Sequence, residues 1–392
     1  MADTSRGRLA YVAESTFGTT PTDPDFQIVR MLSSSLAYTK QTQESNELDA
    51  NSMVTDLIEV GAESGGSLNV EWSPASYDAL IEAALRGTRS TAIASPAGGA
   101  GITFSTPTAT VTDTDAFADA SVGQWLLFTG WANSGNNGWK QVVTKTDDTI
   151  TITDTGMVAE ASGGTGRIDG QTIINSTVER SFSLEETYTD LEIYRLFKGQ
   201  RIGGMSMDFS AGAVLQGAVT FMGTDVEIED PGTGVDPTWY GSGSRVSALT
   251  TSVLNATANV GGIYIDGSLS TSCFKSLSLN LDNTLRSVRC IGSKFPSVIG
   301  YGKQRVSGSF TKVFDSKTLY EAMLNDSTLT LAFGASNSGG GLHVYLPKIK
   351  LGNDNLGLSG GNDTDVDEAI DWTALKSDDG THQIRVDVAT VA

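Results

Sequence analysis

The fold of this chain is decided by the stretch Gly65-Gly66-Ser67-Leu68-Asn69-Val70-Glu71-Trp72 and by the segment Tyr77-Asp78-Ala79-Leu80-Ile81-Glu82-Ala83-Ala84-Leu85 that follows it. Glycines precede an alternation of apolar and polar residues, which predicts a glycine-rich turn entering a strand, and the second segment has the apolar spacing of a short helix. The pattern recurs from Gly308 through Phe310 and Phe314 to Leu319-Tyr320-Glu321-Ala322-Met323-Leu324. A duplicated supersecondary unit without a catalytic cluster indicates a protein that assembles.

Composition favours an all-β protein. The chain has 392 residues, enough for two or three folded units, and 39% of them are hydrophobic. Its 44 glycines punctuate short strand-like runs. This texture is typical of many strands joined by turns, with few and short helices.

The charge balance is strongly acidic. The chain has 46 acidic and 26 basic residues, a formal net charge of -20. Such a surface repels phosphate backbones, so tight binding of DNA or RNA is disfavoured. An acidic surface would still suit a channel through which DNA passes without binding. A role near DNA is therefore not excluded.

The N-terminal residues and the cysteines predict folding in a reducing cytoplasm. The first residues lack the basic segment and apolar core of a secretory signal, and no apolar run has the roughly eighteen residues that suggest a membrane span. A chain of this size needs no disulfide staple. We therefore interpret Cys273 and Cys290 as buried, reduced thiols.

Three parts are expected along the chain: a core from 1 to 100, an insert from 101 to 170, and the rest of the core from 171 to 392. Glycine-rich sequence flanks the insert at residues 95–101 and 163–166, and short strand-like runs lie between them. Domain insertion is tolerated at such exposed loops, so we predict a small β-barrel-like module. The polar stretch Asp230 to Arg245 is interpreted as a linker between two halves of the core.

A polar segment from Tyr38 to Ile58 is the first candidate for a contact arm. It mixes charges around isolated apolar residues, and structureless loops of this length inside domains are usually functional or disordered. The candidate contact residues are Lys40, Glu44, Glu47, Leu48, Asp49 and Asp56.

Catalytic and metal sites find little support. His343 and His382 both lie in alternating runs and are interpreted as ordinary strand residues. No zinc spacing or nucleophile elbow occurs, and the acidic run from Asn362 to Glu368 lacks the glycine and glutamate of a calcium loop. The six tryptophans are dispersed, which favours core packing over a sugar-stacking face. We expect no enzyme activity and no cofactor.

The chain resembles a known family. The lead-in Tyr11-Val12-Ala13-Glu14-Ser15-Thr16-Phe17-Gly18-Thr19-Thr20-Pro21, the run Thr42-Gln43-Glu44-Ser45-Asn46-Glu47-Leu48, then Gly66-Ser67-Leu68 and Tyr77-Asp78-Ala79-Leu80, are similar to the N-terminal signature of major tail tube proteins of long, non-contractile-tailed bacteriophages. The run Ser176-Thr177-Val178-Glu179-Arg180-Ser181-Phe182, with Tyr194 and Lys198-Gly199, resembles that family's continuation after a variable insert.

The resemblance implies a β-sandwich subunit of siphophage type that closes into a ring, usually six-fold, with its inner strands joined in one barrel. Closure would remove the exposed edges of the long strands. Rings stacked head to tail would form a tube in the virion tail, assembled in the host bacterial cytoplasm. The implied partners are further copies of the chain, the tape measure, tail terminator and distal tail proteins, and DNA in transient, non-specific passage, with no membrane insertion.

Channel-facing residues follow from the two-residue period of a strand. If strands near Leu68, Met205, Leu215 and Gly308 line the channel, the polar residues that alternate with their apolar neighbours face it. The candidates are Asn69, Glu71, Ser206, Asp208 and Thr220. These would give an acidic wall past which the genome is ejected.

Two other classes stay open. A secreted carbohydrate-binding or adhesin-like β-protein would fit the acidity and the tryptophans, although the missing signal argues against it. A glycosidase would need only paired carboxylates, which an acidic chain supplies by chance. Either would behave as a monomer or small oligomer, whereas a tube protein forms rings or filaments.

Overall fold

The computed structural model describes residues 3–48, 50–93, 103–105, 110–152, 156–160, 166–356 and 365–391. These residues form β-strands and the connections between them, with two short α-helices. The all-β prediction is therefore confirmed. Both predicted helices are present, one after each of the two repeated strands.

The elements before the insert are β1 (Gly7–Glu14), β2 (Asp25–Val29), β3 (Ser33–Ser34), β4 (Ala37–Glu44), β5 (Leu57–Glu71) and α1 (Asp78–Leu85). Next come β6 (Thr103–Ser105), β7 (Thr110–Thr112), β8 (Trp125–Thr129), β9 (Gly138–Lys145), β10 (Thr149–Ile152) and β11 (Arg167–Asp169). The first half resumes with β12 (Gln171–Ile174), β13 (Ser181–Tyr188), β14 (Ile193–Ser210), β15 (Gln216–Gly223) and β16 (Val226–Glu229).

The second half begins with β17 (Ser244–Val246), β18 (Val260–Ile265), β19 (Ser268–Leu269), β20 (Phe274–Asp282), β21 (Arg286–Val288), β22 (Val298–Gly300) and β23 (Arg305–Val313). It ends with α2 (Thr318–Leu324), β24 (Thr328–Asn337), β25 (Gly340–Asp354), β26 (Asp367–Ala374) and β27 (Arg385–Thr390).

One run of antiparallel strands crosses both halves of the core. Following the pairings from one edge gives the order β4, β5, β15, β14, β20, β23, β26, β25. The long strands β14 and β25 continue past this run, where β14 pairs with β13 and β16 and β25 pairs with β24 and β27. We call the eight-strand run the main sheet.

Alternation along these strands builds the core. On β14 the side chains of Met205, Met207 and Phe209 are buried, and the intervening Ser206 and Asp208 point to the other face. The buried residues that join them include Leu68, Val70, Val219, Phe221, Leu277, Leu279, Leu281, Val306, Phe310, Ile370 and Trp372. One face of the main sheet is therefore apolar and covered, and the other is polar.

The predicted glycine-rich turns are wrong, because the glycines lie inside strands. Gly65 and Gly66 belong to β5 and Gly308 to β23. A Cβ on Gly66 would come within 2.4 Å of the Ser35 carbonyl oxygen, and one on Gly308 within 2.4 Å of the Trp372 ring. These glycines permit close packing of a neighbour.

The insert has a separate sheet of six strands, in the order β11, β8, β9, β10, β7, β6. A second apolar cluster lies beneath it, including Phe117, Leu126, Phe128, Val142 and Ile150. It contacts the core through β8, β9 and β25: Trp125 stacks on His343 at 4.2 Å between ring centroids, and Trp139 lies 5.5 Å from the same ring.

This contact buries polar groups as well as rings. The Trp125 backbone N–H donates to Asp387 over 2.9 Å. Burial, reinforced by the charge of Arg385, lowers the pKa of His343 well below its usual value, so the ring is held neutral. His343 is a strand residue as expected, whereas His382 lies in the loop before β27.

The stretch from Asp230 to Arg245 is not a free linker. It contains a 3-10 turn, Thr238–Tyr240, and the start of β17, which pairs in parallel with β2. Arg245 forms an ion pair of 2.8 Å with the fully buried Glu185 and lies 4.0 Å from the Tyr240 ring. This buried charge pair fixes the stretch to the first half of the core.

The buried-thiol interpretation is also wrong. Cys273 and Cys290 are both unpaired and exposed. Cys273 precedes β20, and Cys290 follows β21 in the turn of a surface hairpin, so neither lies at a core-facing strand position.

Candidate functional site

The polar face of the main sheet brings together the five residues predicted to line a channel. Gln216 of β15 pairs on one side with Glu71 of β5 and on the other with Asp208 of β14. Asn69 lies opposite Ala218, whose backbone N–H donates to the Ser206 hydroxyl over 3.0 Å, and Thr220 lies opposite Gly204. All five side chains are exposed or half-buried on one surface of the subunit.

The same face continues through the second half of the core, for which no channel-facing residue was predicted. Ser206 pairs with Asn280, Asn280 with Ser307, and Ser307 with Thr373. A second row runs from Asp208 through Ser278 and Ser309 to Asp371. The alternation of Leu277, Leu279 and Leu281 in the sequence could have predicted this face, because the residues between buried leucines of a strand point to the opposite face. The result is a continuous surface of hydroxyl, amide and carboxylate groups, which we call the polar face.

The polar face is acidic. Its register rows contain Glu71, Asp208, Asp282 and Asp371, whereas Arg305 lies directly opposite Asp282 on β23. Partial burial raises the pKa of Asp208. The negative charge is spread along the rows, with no cluster of carboxylates suited to holding a cation.

The candidate arm is a β-hairpin, so the expectation of a segment without secondary structure is wrong. β4 pairs with β5 from Ala37 opposite Gly65 to Glu44 opposite Leu57, and the Ser45 N–H donates to the Asp56 carbonyl oxygen over 3.0 Å. Polar residues on both faces hid this strand, because neither face is covered. We call residues 37–65 the hairpin arm.

The hairpin arm holds four of the predicted contact residues towards its outer end: Glu44 ends β4, Glu47 and Leu48 follow it, and Asp56 precedes β5. Lys40 lies nearer the base, opposite Ala62. Asp49 lies outside the described residues. The Glu47 carboxylate accepts a hydrogen bond from Thr55, and Asp56 accepts one from its neighbour Leu57, so the charged groups brace the tip.

The hairpin arm also exposes apolar side chains, of which only Leu48 was predicted as a contact residue. Six of them are exposed by half or more: Leu48, Met53, Val54, Leu57, Ile58 and Val60. Apolar side chains exposed to water on a projecting hairpin do not stabilise an isolated subunit. Concentrated exposed apolar groups of this sort mark a contact surface.

The base of the hairpin arm is held by the second half of the core. The hairpin β21–β22 and the turn between its strands lie against it, with Arg289 3.1 Å from Glu63 and Lys294 3.0 Å from Glu59. The Ala62 N–H donates to the Lys294 carbonyl oxygen over 2.9 Å. The arm therefore has a fixed base and a free outer end.

Comparison with known families gives the identity of this fold. The family model described as phage tail tube protein matches residues 4–374, almost the whole chain. The chain belongs to the phage tail tube protein family. It is accordingly a structural component of a phage tail. No curated protein matches the chain.

The residues described in the tail tube protein also bear on metal, membrane and sugar sites. No group of three His, Cys, Asp or Glu side chains in those residues is placed to hold a metal ion. Within the same residues, no helix is long and apolar enough to cross a membrane. Trp72, Trp125, Trp131, Trp139 and Trp372 are buried and Trp239 is partly buried, as the core-packing interpretation expects.

Proposed function

We propose that this chain is the repeating subunit of the tube of a long, non-contractile tail, and that the polar face lines its channel. The observation that supports this most is the eight-strand run itself, polar on one side and backed by one apolar core on the other. A sheet of this kind has two open edges, and closure into a barrel removes them. Copies of the chain would form a ring whose inner wall is the polar face.

Stacking of rings gives the tube its length. Head-to-tail contacts do not close, so they generate an open filament whose length a separate protein must limit. The hairpin arm has the exposed apolar groups that a ring-to-ring contact needs. The expected partners are further copies of the chain, with tape measure, tail terminator and distal tail proteins at the ends and inside, in particles assembled in the host bacterial cytoplasm.

The acidic wall suits a conduit for DNA. Carboxylates repel phosphate, and salt screens this repulsion over roughly 8 to 10 Å under ordinary conditions. Hydroxyl and amide groups between them offer hydrogen bonds, and the carboxylates of the face outnumber its two cations, Arg305 and Lys350, so the DNA backbone finds no strong binding site. We infer that the polar face prevents DNA from sticking during ejection.

The chain divides on this proposal into a tube core, residues 1–100 and 171–392, and an inserted module, residues 101–170. The separate six-stranded sheet and its apolar cluster support the division. The module would project outward from the tube wall.

The channel assignment predicts a change in ejection when the wall becomes positive. In particles carrying Glu71→Lys and Asp208→Lys together, we expect tubes to assemble and DNA to leave several-fold more slowly at about 0.01 M ionic strength, where the Debye length is about 30 Å. The delay should shrink as salt approaches 1 M. Time-resolved DNA release from triggered particles measures it.

A matched control carries the same change in charge elsewhere. Asp119 and Asp230 are exposed and lie off the polar face, so Asp119→Lys with Asp230→Lys should leave release unchanged. Equal release from both double variants at low salt, in particles with normal tails, would contradict the channel assignment.

A further inference from the structure

The main sheet consists of two units with the same strand order. The first unit runs β4, β5, β15, β14, and the second runs β20, β23, β26, β25. In each unit the second strand leads to the helix, β5 to α1 and β23 to α2. In each unit the fourth strand also continues into further pairings, β14 with β13 and β16 and β25 with β24 and β27. The chain therefore carries two copies of one tube unit.

The two units are joined by a strand pairing that the chain itself displays. β14, the last strand of the first unit, pairs with β20, the first strand of the second unit, from Gly204 opposite Asp282 to Ser210 opposite Ser276. On this side of β14 the preceding partner β13 ends opposite Gln200, and β20 takes over. This junction shows how one unit follows the next.

The last strand of the second unit, β25, has an open edge at the position where β14 pairs with β20. On the equivalent side of β25, the partner β24 ends opposite Lys350, and among the described residues no strand continues beside Leu351–Asp354. At the other end of the main sheet, β3 and β4 pair on one side only, with β5, within the described part of the chain. The two open edges are thus the last strand of one unit and the first strand of another.

The helices give an independent indication of a missing neighbour. In the first unit α1 is covered, since Asn283 and Gln304 of the second unit donate to the Ala84 carbonyl oxygen over 2.9 and 3.1 Å. The final residue of α1, Leu85, is 0% exposed, whereas the final residue of α2, Leu324, is 66% exposed. The surface that the second unit covers on the first is open on the second.

We propose that the second unit of one chain pairs with the first unit of another copy. The contact repeats the one between the first and second units within the chain. The edge of β25 from Leu351 to Asp354 pairs antiparallel with the start of β4, from Tyr38 to Gln41, of the next copy, and that copy covers Leu324. Two tube units per chain mean that a ring of six units contains three chains. This refines the proposed tube function and rests on it.

The size of the channel favours three chains over six. Each chain contributes eight strands, so three chains close a barrel of 24. Strands about 4.8 Å apart and tilted by about 40° then give a backbone diameter of roughly 48 Å, which leaves a bore for one DNA duplex after the side chains are included. Six chains would give 48 strands and roughly 96 Å on the same geometry. The six-fold repeat expected for the family is then met by two units in each of three chains.

Imaging of assembled rings tests the chain number. The inserted module occurs once per chain, so cryo-EM averages of tubes should show three outer projections around each ring and six tube units in its inner wall. Six projections, or twelve units, would overturn the three-chain ring while leaving the tube function intact. Failure of the protein to form rings or tubes, with tails that lack it, would instead overturn the proposed function.

A single substitution tests the contact surface. Leu324→Lys places a charge at an exposed position, so the isolated subunit should keep its fold and melting temperature, while ring formation falls at least tenfold in sedimentation assays. Val158→Lys is the control, because Val158 is 50% exposed on the insert and outside the proposed contact. Normal rings from a folded Leu324→Lys variant would contradict the proposed junction.

Discussion

Subunits without the outer part of the hairpin arm should form rings that do not stack. The change replaces residues 44–57 with Asn-Gly, a pair that favours the two-residue turn between antiparallel strands. Gln43 and Ile58 are already opposite each other, so the shortened hairpin can close without distortion. The base keeps its contacts with Arg289 and Lys294, and the fold should survive.

We expect the deletion to abolish tube growth completely. The deletion removes Leu48, Met53, Val54 and Leu57, all exposed by more than half, and with them the apolar contact proposed between rings. Negative-stain images should show single rings where the unaltered protein gives tubes. Circular dichroism and thermal melting check the fold of the subunit.

A second variant separates the length of the arm from its chemistry. Leu48→Ser, Met53→Ser and Val54→Ser together keep the hairpin and remove the apolar groups at its tip. We expect shorter and fewer tubes, with rings intact. Tubes of normal length from the deletion variant would show that the arm does not join rings, and loss of the rings themselves would place its contact within the ring.

Removal of the Glu368 charge should destabilise the subunit by about 3 to 5 kcal/mol, the range for breaking a buried ion pair from one side. Lys312 is 1% exposed, and its ammonium lies 2.9 Å from Glu368 and 2.8 Å from Asp315. Burial alone would lower the pKa of Lys312, but hydrogen bonds to Asp315 and Glu368 outweigh it and raise that pKa. In Glu368→Gln the ammonium stays buried with only Asp315, which is half exposed.

Replacement of both partners should recover most of that loss. Lys312→Met with Glu368→Met leaves no buried charge at this pair, and such exchanges are often neutral or stabilising. Urea unfolding of the three proteins at neutral pH gives the free energies. A Glu368→Gln variant as stable as the unaltered subunit, or a double variant as unstable as the single one, would contradict this account of the pair.

The strands of the main sheet could be predicted from local pattern, because one face of each is buried. Met205, Met207 and Phe209 alternate with polar residues, so the direction of Ser206 and Asp208 follows from a period of two. The helix after β5 was equally visible in its apolar spacing. These features depend on neighbours in the sequence.

Features that depend on residues far apart in the chain could not be predicted from local sequence patterns. Lys312 and Glu368 meet only because β23 pairs with β26. The acidic run from Asn362 to Glu368 therefore gave no indication that Glu368 lies buried in a strand. The hairpin arm showed no one-sided alternation, since both of its faces are open. In the sequence alone, a glycine that makes room for a neighbouring group within a sheet cannot be distinguished from a glycine in a turn.

The most direct test of the central claim is a cryo-EM map of the tail of the phage that encodes this chain. The account predicts that the tail tube is built of repeated rings of this chain, with Glu71, Asp208 and Asp371 on the channel wall and the hairpin arm against the adjacent ring. A tube built from a different chain, or one that places these three residues on its outer surface, would contradict it.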